Sequence, residues 1–294
     1  MLDNGDCTLI KTPSNKTIMV DTGEQENVVV KYLLDRKIKT IDYLMLSHFD
    51  SDHCKNATEI LSSLNVKRLI ISKQAENSDE FQKIIKMAKN RKVKIVVVKA
   101  GDEIIIDKQT KFKILWPEEE LVKENPLNNN SIVAKLEYGN FSMLFTGDIE
   151  AISENKIISK YESSVLKSTI LKVGHHGSKT SSTEEFIKQI NPKISVIGVG
   201  QNNKFGHPNE ETLKTLESYG STVYRTDLCG EITIIVNKIG RMKVKTKNIK
   251  KYNYVIFGYA KKGDDYEKIY CFGTYFSIGS KLYNRVICAQ TKKC

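Results

Sequence analysis

Short runs of β-branched residues alternate with segments of helical periodicity along most of this chain. The runs stand at 17–20, 41–46, 67–71, 93–98, 111–115, 168–173, 194–199 and 231–236. Between two of them, residues 57–64 repeat apolar side chains at the spacing of one helix face. Ser182 and Glu185 predict a capping box at the start of a later helix. Because strands interleaved with helices build sheets that helices cover, the order predicts an α/β (α+β) protein.

Two predicted strands break this alternation. The runs 132–138 and 141–146 are separated only by Gly139–Asn140, a pair that is typical of a tight hairpin turn. Since the two strands of a hairpin are antiparallel, the sheets are predicted to be mixed rather than purely parallel.

The composition changes near residue 247. From Arg241 to Cys294 there are 13 Lys and Arg against 3 Asp and Glu, which accounts for most of the net charge of +11. We therefore predict one domain over 1–247 and a small basic, aromatic β extension over 248–294. The extension would bind nucleic acid through phosphate contacts, or it would be a solvated hairpin that serves only for packing.

The sequence also carries expectations about location. No apolar run is long enough to cross a bilayer, and residues 1–10 lack the basic region and apolar core of a secretory signal. These features predict a cytoplasmic protein without a membrane segment. The cysteines stand at 7, 54, 229, 271, 288 and 294 with no CxxC pair, so reduced thiols are expected.

The segment HFDSDH, residues 48–53, directly follows an apolar run. Alternate residues of an extended chain point the same way, so His48 and Asp50 would face one point. Asp52 and His53 fall where the chain turns into a helix and would face a second point nearby. Two imidazoles and two carboxylates at this spacing fit a pair of divalent metal ions better than a single acid or base. The alternative is a polar turn with incidental histidines.

The other histidines lie in a similar setting. His175 and His176 follow a predicted strand in LKVGHHGS, and His207 stands in GHP between a predicted strand and a helix. Asp148 follows the predicted strand MLFT. Because open sheets collect their sites at strand ends, all four residues are candidates for the same site.

Taken in order, the motifs HxDxDH, TGD, LKVGHHGS and GHP resemble those of metallo-β-lactamase-fold hydrolases. Within that superfamily, the sequence is similar to the metallo-β-lactamase domain of the competence (DNA-internalisation) channel protein family. The similarity extends over about residues 1–246, from LDNGDCTLIKT to VYRTDLCGEI. It implies a four-layered αββα sandwich with a metal pair along one sheet edge.

The resemblance implies metal ligands in two groups. His48 and Asp50 would bind the first metal, Asp52 and His53 would bind the second, and Asp148 would bridge the two. The commoner superfamily pattern has histidine where Asp50 stands, and no histidine is available as the third ligand of the first metal. One of the asparagines at 128–130 would take that place.

The resemblance also implies a second set of roles. One histidine of the His175/His176 pair, or His207, would complete the second metal site, with His175 and His207 assigned as ligands; the other histidine of the pair, His176 in this assignment, would contact the substrate or its leaving group. Lys172 and Ser178 would hold phosphate oxygens, although Ser178 serves equally well as a helix cap. Asp52 would also orient the attacking hydroxide and transfer its proton. Because the ligands are rich in oxygen, manganese and magnesium compete with zinc.

These residues predict a metal-dependent phosphodiesterase, more specifically a nuclease that acts on DNA through a hydroxide bridging two metal ions. The resemblance and the basic extension both favour nucleic acid as the substrate. The alternative is a hydrolase of a small or cell-wall ester, of the phosphorylcholine esterase or lactonase type, because the same metal pair serves those reactions. A binding module with a degenerate, non-catalytic site is a third possibility.

Overall fold

The structure, a computed structural model, describes residues 5–73, 78–201 and 203–247, and the backbone of 266–272. The strands are β1 (Cys7–Lys11), β2 (Thr17–Val20), β3 (Thr40–Ile41), β4 (Tyr43–Met45), β5 (Asn65–Val66), β6 (Arg68–Ser72), β7 (Lys94–Val98), β8 (Glu103–Ile105), β9 (Thr110–Trp116), β10 (Val133–Tyr138), β11 (Phe141–Phe145), β12 (Ile170–Lys172), β13 (Ile194–Ile197), β14 (Thr222–Arg225), β15 (Ile232–Asn237), β16 (Met242–Thr246) and β17 (Tyr266–Phe272). The helices are α1 (Val28–Asp35), α2 (Ser51–Cys54), α3 (Ala57–Ser63), α4 (Asp79–Asn90), α5 (Pro126–Asn129), α6 (Ala151–Lys160), α7 (Ser163–Leu166), α8 (Glu184–Ile190), α9 (Glu210–Ser218) and α10 (Thr226–Cys229). A 3₁₀ turn spans Gly174–Gly177.

The strands form two large sheets and one short pair. The first sheet has the order β16–β15–β17–β1–β2–β4–β6–β7, the second has the order β14–β13–β12–β11–β10–β9–β8, and β3 pairs with β5. In the second sheet, β11 to β14 are parallel, whereas β8 to β11 are antiparallel. The hairpin of β10 and β11 therefore makes the sheet mixed, as the sequence predicts.

Two apolar clusters arrange the elements in four layers. The first cluster fills the space between the sheets and reaches α1, α3 and α4 on the outer side of the first sheet. The second lies between the second sheet and α6, α8 and α9. Adjacent residues of β11 divide between them, Met143 in the first cluster and Leu144 in the second, because alternate residues of a strand face opposite sides. The predicted αββα architecture is confirmed.

The strand β17 falls within the segment that the sequence assigns to a C-terminal extension, 248–294. It lies between β15 and β1 in the first sheet, antiparallel to both. This strand is thus paired within the first sheet, and the predicted boundary at residue 247 stays a prediction. The rest of the predicted extension lies outside the described residues.

Two expectations about the chain, on membrane segments and on cysteines, can be compared with the structure. In the described part of the chain, no helix has the length and apolar character needed to cross a bilayer. Cys229 is disulfide-bonded, so the expectation of a reduced thiol is wrong at this position. The cytoplasmic location stays a prediction.

Candidate metal centre

The HFDSDH segment connects the end of β4 to α2. Asp21, which follows β2, holds this connection in place. Its carboxylate accepts hydrogen bonds from the Ser47 amide at 2.7 Å and the Ser47 hydroxyl at 2.8 Å. Both imidazoles of the segment, His48 and His53, are buried. The segment therefore directs its histidines into the sandwich.

The two carboxylates of the segment lie nearer to solvent. The side chains of Asp50 and Asp52 are 38 % and 26 % exposed. Asp50 Oδ2 lies 3.5 Å from His48 Nε2, and Asp52 Oδ2 lies 3.9 Å from His53 Nε2. Each carboxylate thus faces the imidazole with which the sequence pairs it.

Asp148 brings the second sheet to this cluster. It follows β11, and its Oδ1 lies 3.2 Å from His53 Nε2. Its other oxygen, Oδ2, lies 4.0 Å from His48 Nε2 and 3.8 Å from His176 Nε2. One carboxylate therefore faces three ring nitrogens, and the strand ends of both sheets meet at it.

Among the predicted metal ligands, three buried atoms have no hydrogen-bond partner within the described part of the chain. They are His48 Nε2, His53 Nε2 and Asp148 Oδ1. A buried polar atom without a partner costs about 1–3 kcal/mol, so such atoms are rare in folded proteins. Their convergence on one point fits a bound cation, because a metal ion would satisfy all three.

The second nitrogen of each ring is held by a different partner. His53 Nδ1 lies 3.0 Å from Asp21 Oδ2, and His48 Nδ1 lies 3.0 Å from Ser47 Oγ. His176 Nδ1 lies 2.8 Å from the carbonyl oxygen of Gly198. Metal-binding histidines usually use the second ring nitrogen in this way, which fixes the tautomer and the ring orientation.

The charges of the cluster shift one another's pKa values. Burial lowers the pKa of His53, but the carboxylates of Asp148, Asp52 and Asp21 outweigh burial and raise it well above its ordinary value. Burial raises the pKa of Asp148, but the imidazoles of His53 and His176 hold it well below the ordinary range. The imidazoles therefore keep the Asp148 carboxylate anionic, and a divalent cation could supply the positive charge in their place.

The sequence from residue 1 to 201 matches the family model of the metallo-beta-lactamase superfamily. This chain belongs to the metallo-β-lactamase superfamily. Its fold is similar to that of a CmlA beta-hydroxylase E377D mutant, with a TM-score of 0.53, 11 % identity and coverage of 84 % of this chain and 53 % of that one. At this identity the likeness concerns the fold alone.

Two curated relatives are similar to this chain, and the name of the second refers to competence. ComE operon protein 3 of Bacillus subtilis (strain 168) is 37 % identical over 222 residues, which is 74 % of this chain and 28 % of the relative. Competence protein ComA of Neisseria gonorrhoeae is 27 % identical over 249 residues, 84 % of this chain and 32 % of the relative. This metallo-β-lactamase superfamily member thus spans less than a third of the length of either relative.

The structure separates two adjacent histidines of this superfamily member. His176 is buried, and its Nε2 lies 2.9 Å from Asp52 Oδ2 within the cluster. His175 lies outside the cluster, with Nδ1 3.2 Å from Thr180 Oγ1 and 3.8 Å from Glu150 Oε1. Both histidines have left-handed backbone, with φ of 48° and 52°. This turn directs His176 inward and leaves His175 at the rim, so His176 is the histidine of this pair that lies among the candidate metal ligands.

His207 lies at the same rim. Its ring centroid is 5.9 Å from that of His175. Burial, together with the charges of His176 and His175, lowers the pKa of His207 to about 4. His207 is therefore neutral near pH 7, and it stands beside the cluster rather than among the atoms that converge on Asp148.

Asp6 is a member of the cluster that the sequence reasoning missed. One ligand atom from each of four buried residues lies within 4.8 Å of the other three, and these residues are Asp6, His53, Asp148 and His176. Asp6 precedes β1, which is antiparallel to β2, so the start of β1 lies at the edge where the other strands end. A search for acidic residues before strands, as well as after them, would have found it.

Lys172, expected to hold phosphate, is buried and forms an ion pair with Asp6. Its Nζ also donates to the carbonyl oxygen of Val173 at 3.1 Å. Because a buried lysine held by a buried carboxylate does not reach solvent, a direct phosphate contact by Lys172 does not fit this geometry.

The remaining predicted residues contact the polypeptide. Ser178 is buried, its Oγ lies 3.1 Å from Thr180 Oγ1, and it accepts a hydrogen bond from the Thr180 amide at 3.3 Å, so it stabilises a local turn and does not cap α8, whose N-cap is Thr183. Among the asparagines considered as a third ligand, Asn130 forms two hydrogen bonds with the backbone of Val122. Its Oδ1 accepts from the Val122 amide and its Nδ2 donates to the Val122 carbonyl, both at 2.9 Å. Asn129 Oδ1 accepts from the Glu150 amide at 3.0 Å.

Proposed function

We propose that this protein is a metal-dependent phosphodiesterase that cleaves nucleic acid, with DNA as the substrate. Two divalent cations, manganese or zinc, would be held by His48, Asp50, Asp52, His53, Asp148 and His176. The observation that carries the proposal is the set of buried, unpartnered ring nitrogens that face the carboxylate of Asp148. The mixture of oxygen and nitrogen ligands fits either cation.

Bound cations would supply a nucleophile at neutral pH and stabilise negative charge on the phosphate. The polypeptide prepares the ligands for this role. Asp21 and Gly198 fix the rings of His53 and His176 through their Nδ1 atoms, so that the Nε2 atoms face the cluster. Asp52, which lies between the buried cluster and solvent, is placed to accept a proton on its carboxylate and release it to water.

The choice of nucleic acid rests on charge and on the relatives. Positive charge is concentrated from Arg241 onward, and Lys243 and Lys245 are exposed on β16. Such side chains would contact phosphates and release counterions. The name of one relative refers to competence, and that of another, from Haemophilus influenzae (strain ATCC 51907 / DSM 11121 / KW20 / Rd), refers to recombination.

The test is cleavage of end-labelled single-stranded DNA by the purified chain, after chelation and with manganese or zinc added back. The Asp148→Asn variant should lose activity by about 100-fold or more, because removing even an outer-shell partner of a metal ligand costs about 10–100-fold. The exposed Asp35 forms an ion pair with Lys31 on α1 and provides the control Asp35→Asn. Its activity should equal that of the wild type.

Two results would contradict the proposal. Metal content that is the same in Asp148→Asn and the wild type, measured by mass spectrometry, would remove Asp148 from the ligand set. A metal-loaded wild-type chain that leaves DNA intact would exclude the nuclease.

Hydrolysis of a small or cell-wall ester is the second candidate. For a lactone or another carboxylic ester it is favoured by one observation: Lys172 is buried against Asp6, so its charge is not available to a substrate phosphate. The p-nitrophenyl ester of phosphorylcholine and an acyl lactone, offered to the same metal-loaded preparations, distinguish the two functions. Turnover of either compound without cleavage of DNA would select the ester hydrolase.

A further inference from the structure

An exposed aromatic side chain stands at the rim of the candidate metal centre. Phe205 lies between β13 and α9 and is 62 % exposed. Other large apolar side chains exposed in the described part of the chain, such as Leu34, Ile105 and Ile239, are aliphatic. An aromatic ring left in water beside a buried polar cluster offers a flat apolar face to a ligand.

The segment around Phe205, residues 203–209, is held firmly. Asn203 Oδ1 accepts a hydrogen bond from the His207 amide at 2.8 Å, and Asn203 Nδ2 donates to the His207 carbonyl at 2.5 Å. The Asn209 amide donates to the Gly177 carbonyl at 2.8 Å. A side chain on Gly177 would lie 2.6 Å from Pro208, so the segment packs directly on the histidine turn. Phe205 is therefore positioned before any ligand binds.

The rings of this rim lead toward the metal centre. The centroids of Phe205 and His207 are 5.9 Å apart, and the ring planes differ by only 19°. The centroid of His175 lies 5.9 Å beyond His207, and His175 adjoins His176 of the cluster. Lys204 Nζ lies 5.0 Å from the Phe205 centroid. From this position the ammonium group could contact the phosphate next to a base that stacks on Phe205.

We propose that Phe205 and His207 form a subsite for an unpaired nucleobase of the strand that is cut at the metal centre. This proposal rests on the nuclease function proposed above and names its substrate class, single-stranded nucleic acid. Stacking on an aromatic ring accepts any base, because every base has a π face, and it excludes bases that remain paired within a duplex. The subsite thus selects single strands without selecting sequence.

The test measures stacking separately from cleavage. A short single-stranded oligonucleotide with phosphorothioate linkages, which slow cleavage, carries 2-aminopurine, whose fluorescence is quenched when it stacks. With the manganese-loaded full chain, the wild type should quench the probe. Phe205→Ala should bind it about 5-fold to 150-fold more weakly and lose the quenching, since stacking contributes about 1–3 kcal/mol per base.

Two variants serve as controls. Phe205→Tyr keeps a ring and should keep the quenching. Ile239→Ala removes a similarly exposed apolar side chain, 59 % accessible, at the turn between β15 and β16 and should bind as the wild type does. A probe with abasic sites should bind equally to the wild type and Phe205→Ala.

Quenching and affinity unchanged in Phe205→Ala, or absent in the wild type, would overturn the subsite. Cleavage is scored independently on ordinary DNA. If the wild type cuts DNA and Phe205→Ala binds the probe as the wild type does, the nuclease function is supported and the subsite is refuted. If the probe stacks on Phe205 but no DNA is cut, the subsite is supported and the nuclease function is refuted.

Discussion

At the level of single residues, Asp21 fixes more of the candidate metal centre than any predicted ligand does. Its carboxylate binds the Ser47 amide and hydroxyl and the Nδ1 atom of His53. The strand β2 thereby positions both the chain before His48 and the ring of His53. Asp21 would not touch a cation itself, and its effect would be transmitted through His53.

Replacing Asp21 by Asn should weaken metal binding by about 10–100-fold, because an amide holds the His53 ring and the Ser47 donors less well than a carboxylate. Competition with a fluorescent chelator measures the affinity. Asp35→Asn is the matched control and should bind as the wild type does. Equal affinities in a variant that retains its circular dichroism spectrum would show that Asp21 has no positioning role.

At the level of elements, the helix that follows the histidine turn begins differently from the prediction. The predicted capping box of Ser182 and Glu185 is wrong, because α8 is preceded by Thr183 without a side-chain cap, and Ser182 has a left-handed φ of 62°. Glu154 of the neighbouring α6 accepts the amides of Ser182 and Thr183 instead. A distant carboxylate thus performs the role that sequence reasoning gave to a local one.

Glu154 should make stability depend on pH. Burial raises its pKa to about 7, against hydrogen bonds from Thr183 and Ser182 that lower it, whereas the ordinary value is 4.5. The folded chain therefore holds this proton more tightly than the unfolded chain does. Its stabilising contribution is complete below pH 4.5 and is lost as the pH rises through about 7.

Relative to Glu154→Gln, which does not titrate, the wild type should lose up to about 3 kcal/mol of unfolding free energy over this range. Urea denaturation of the chelated proteins at several pH values measures the difference. Glu217→Gln, at an exposed position of α9, is the control and should follow the wild type. Parallel curves for the wild type and Glu154→Gln would contradict the prediction.

At the scale of the whole molecule, the sequence predicts the architecture better than the site. The alternation of strands and helices suffices for the four layers, and strand ends suffice to bring His48 and Asp148 together. The choice between His175 and His176 depends on two left-handed residues, which no periodicity reveals. Asp6 is not predicted because it precedes its strand rather than following it. The ion pair of Lys172 with Asp6 is not predicted because the two residues are far apart in sequence.

The position of β17 predicts the result of truncation. A chain that ends at Lys247 lacks the strand between β15 and β1, and it should either fail to fold or melt about 10 °C or more below the full chain. A chain that ends at residue 273 retains β17 and serves as the control. Thermal unfolding followed by circular dichroism makes the comparison. An unchanged melting temperature after truncation at Lys247 would show that β17 is dispensable to the sheet.

The same pairing has a consequence for synthesis. Cys7 pairs with Phe272, so about 265 residues must be made after β1 before its partner exists. At about 5–20 residues per second, this takes roughly 10–50 s on the ribosome. During that time one edge of β1 is open to any strand that reaches it, including β17 of a neighbouring nascent chain. The order of translation, rather than the stability of the finished sandwich, would then determine when two copies can exchange strands.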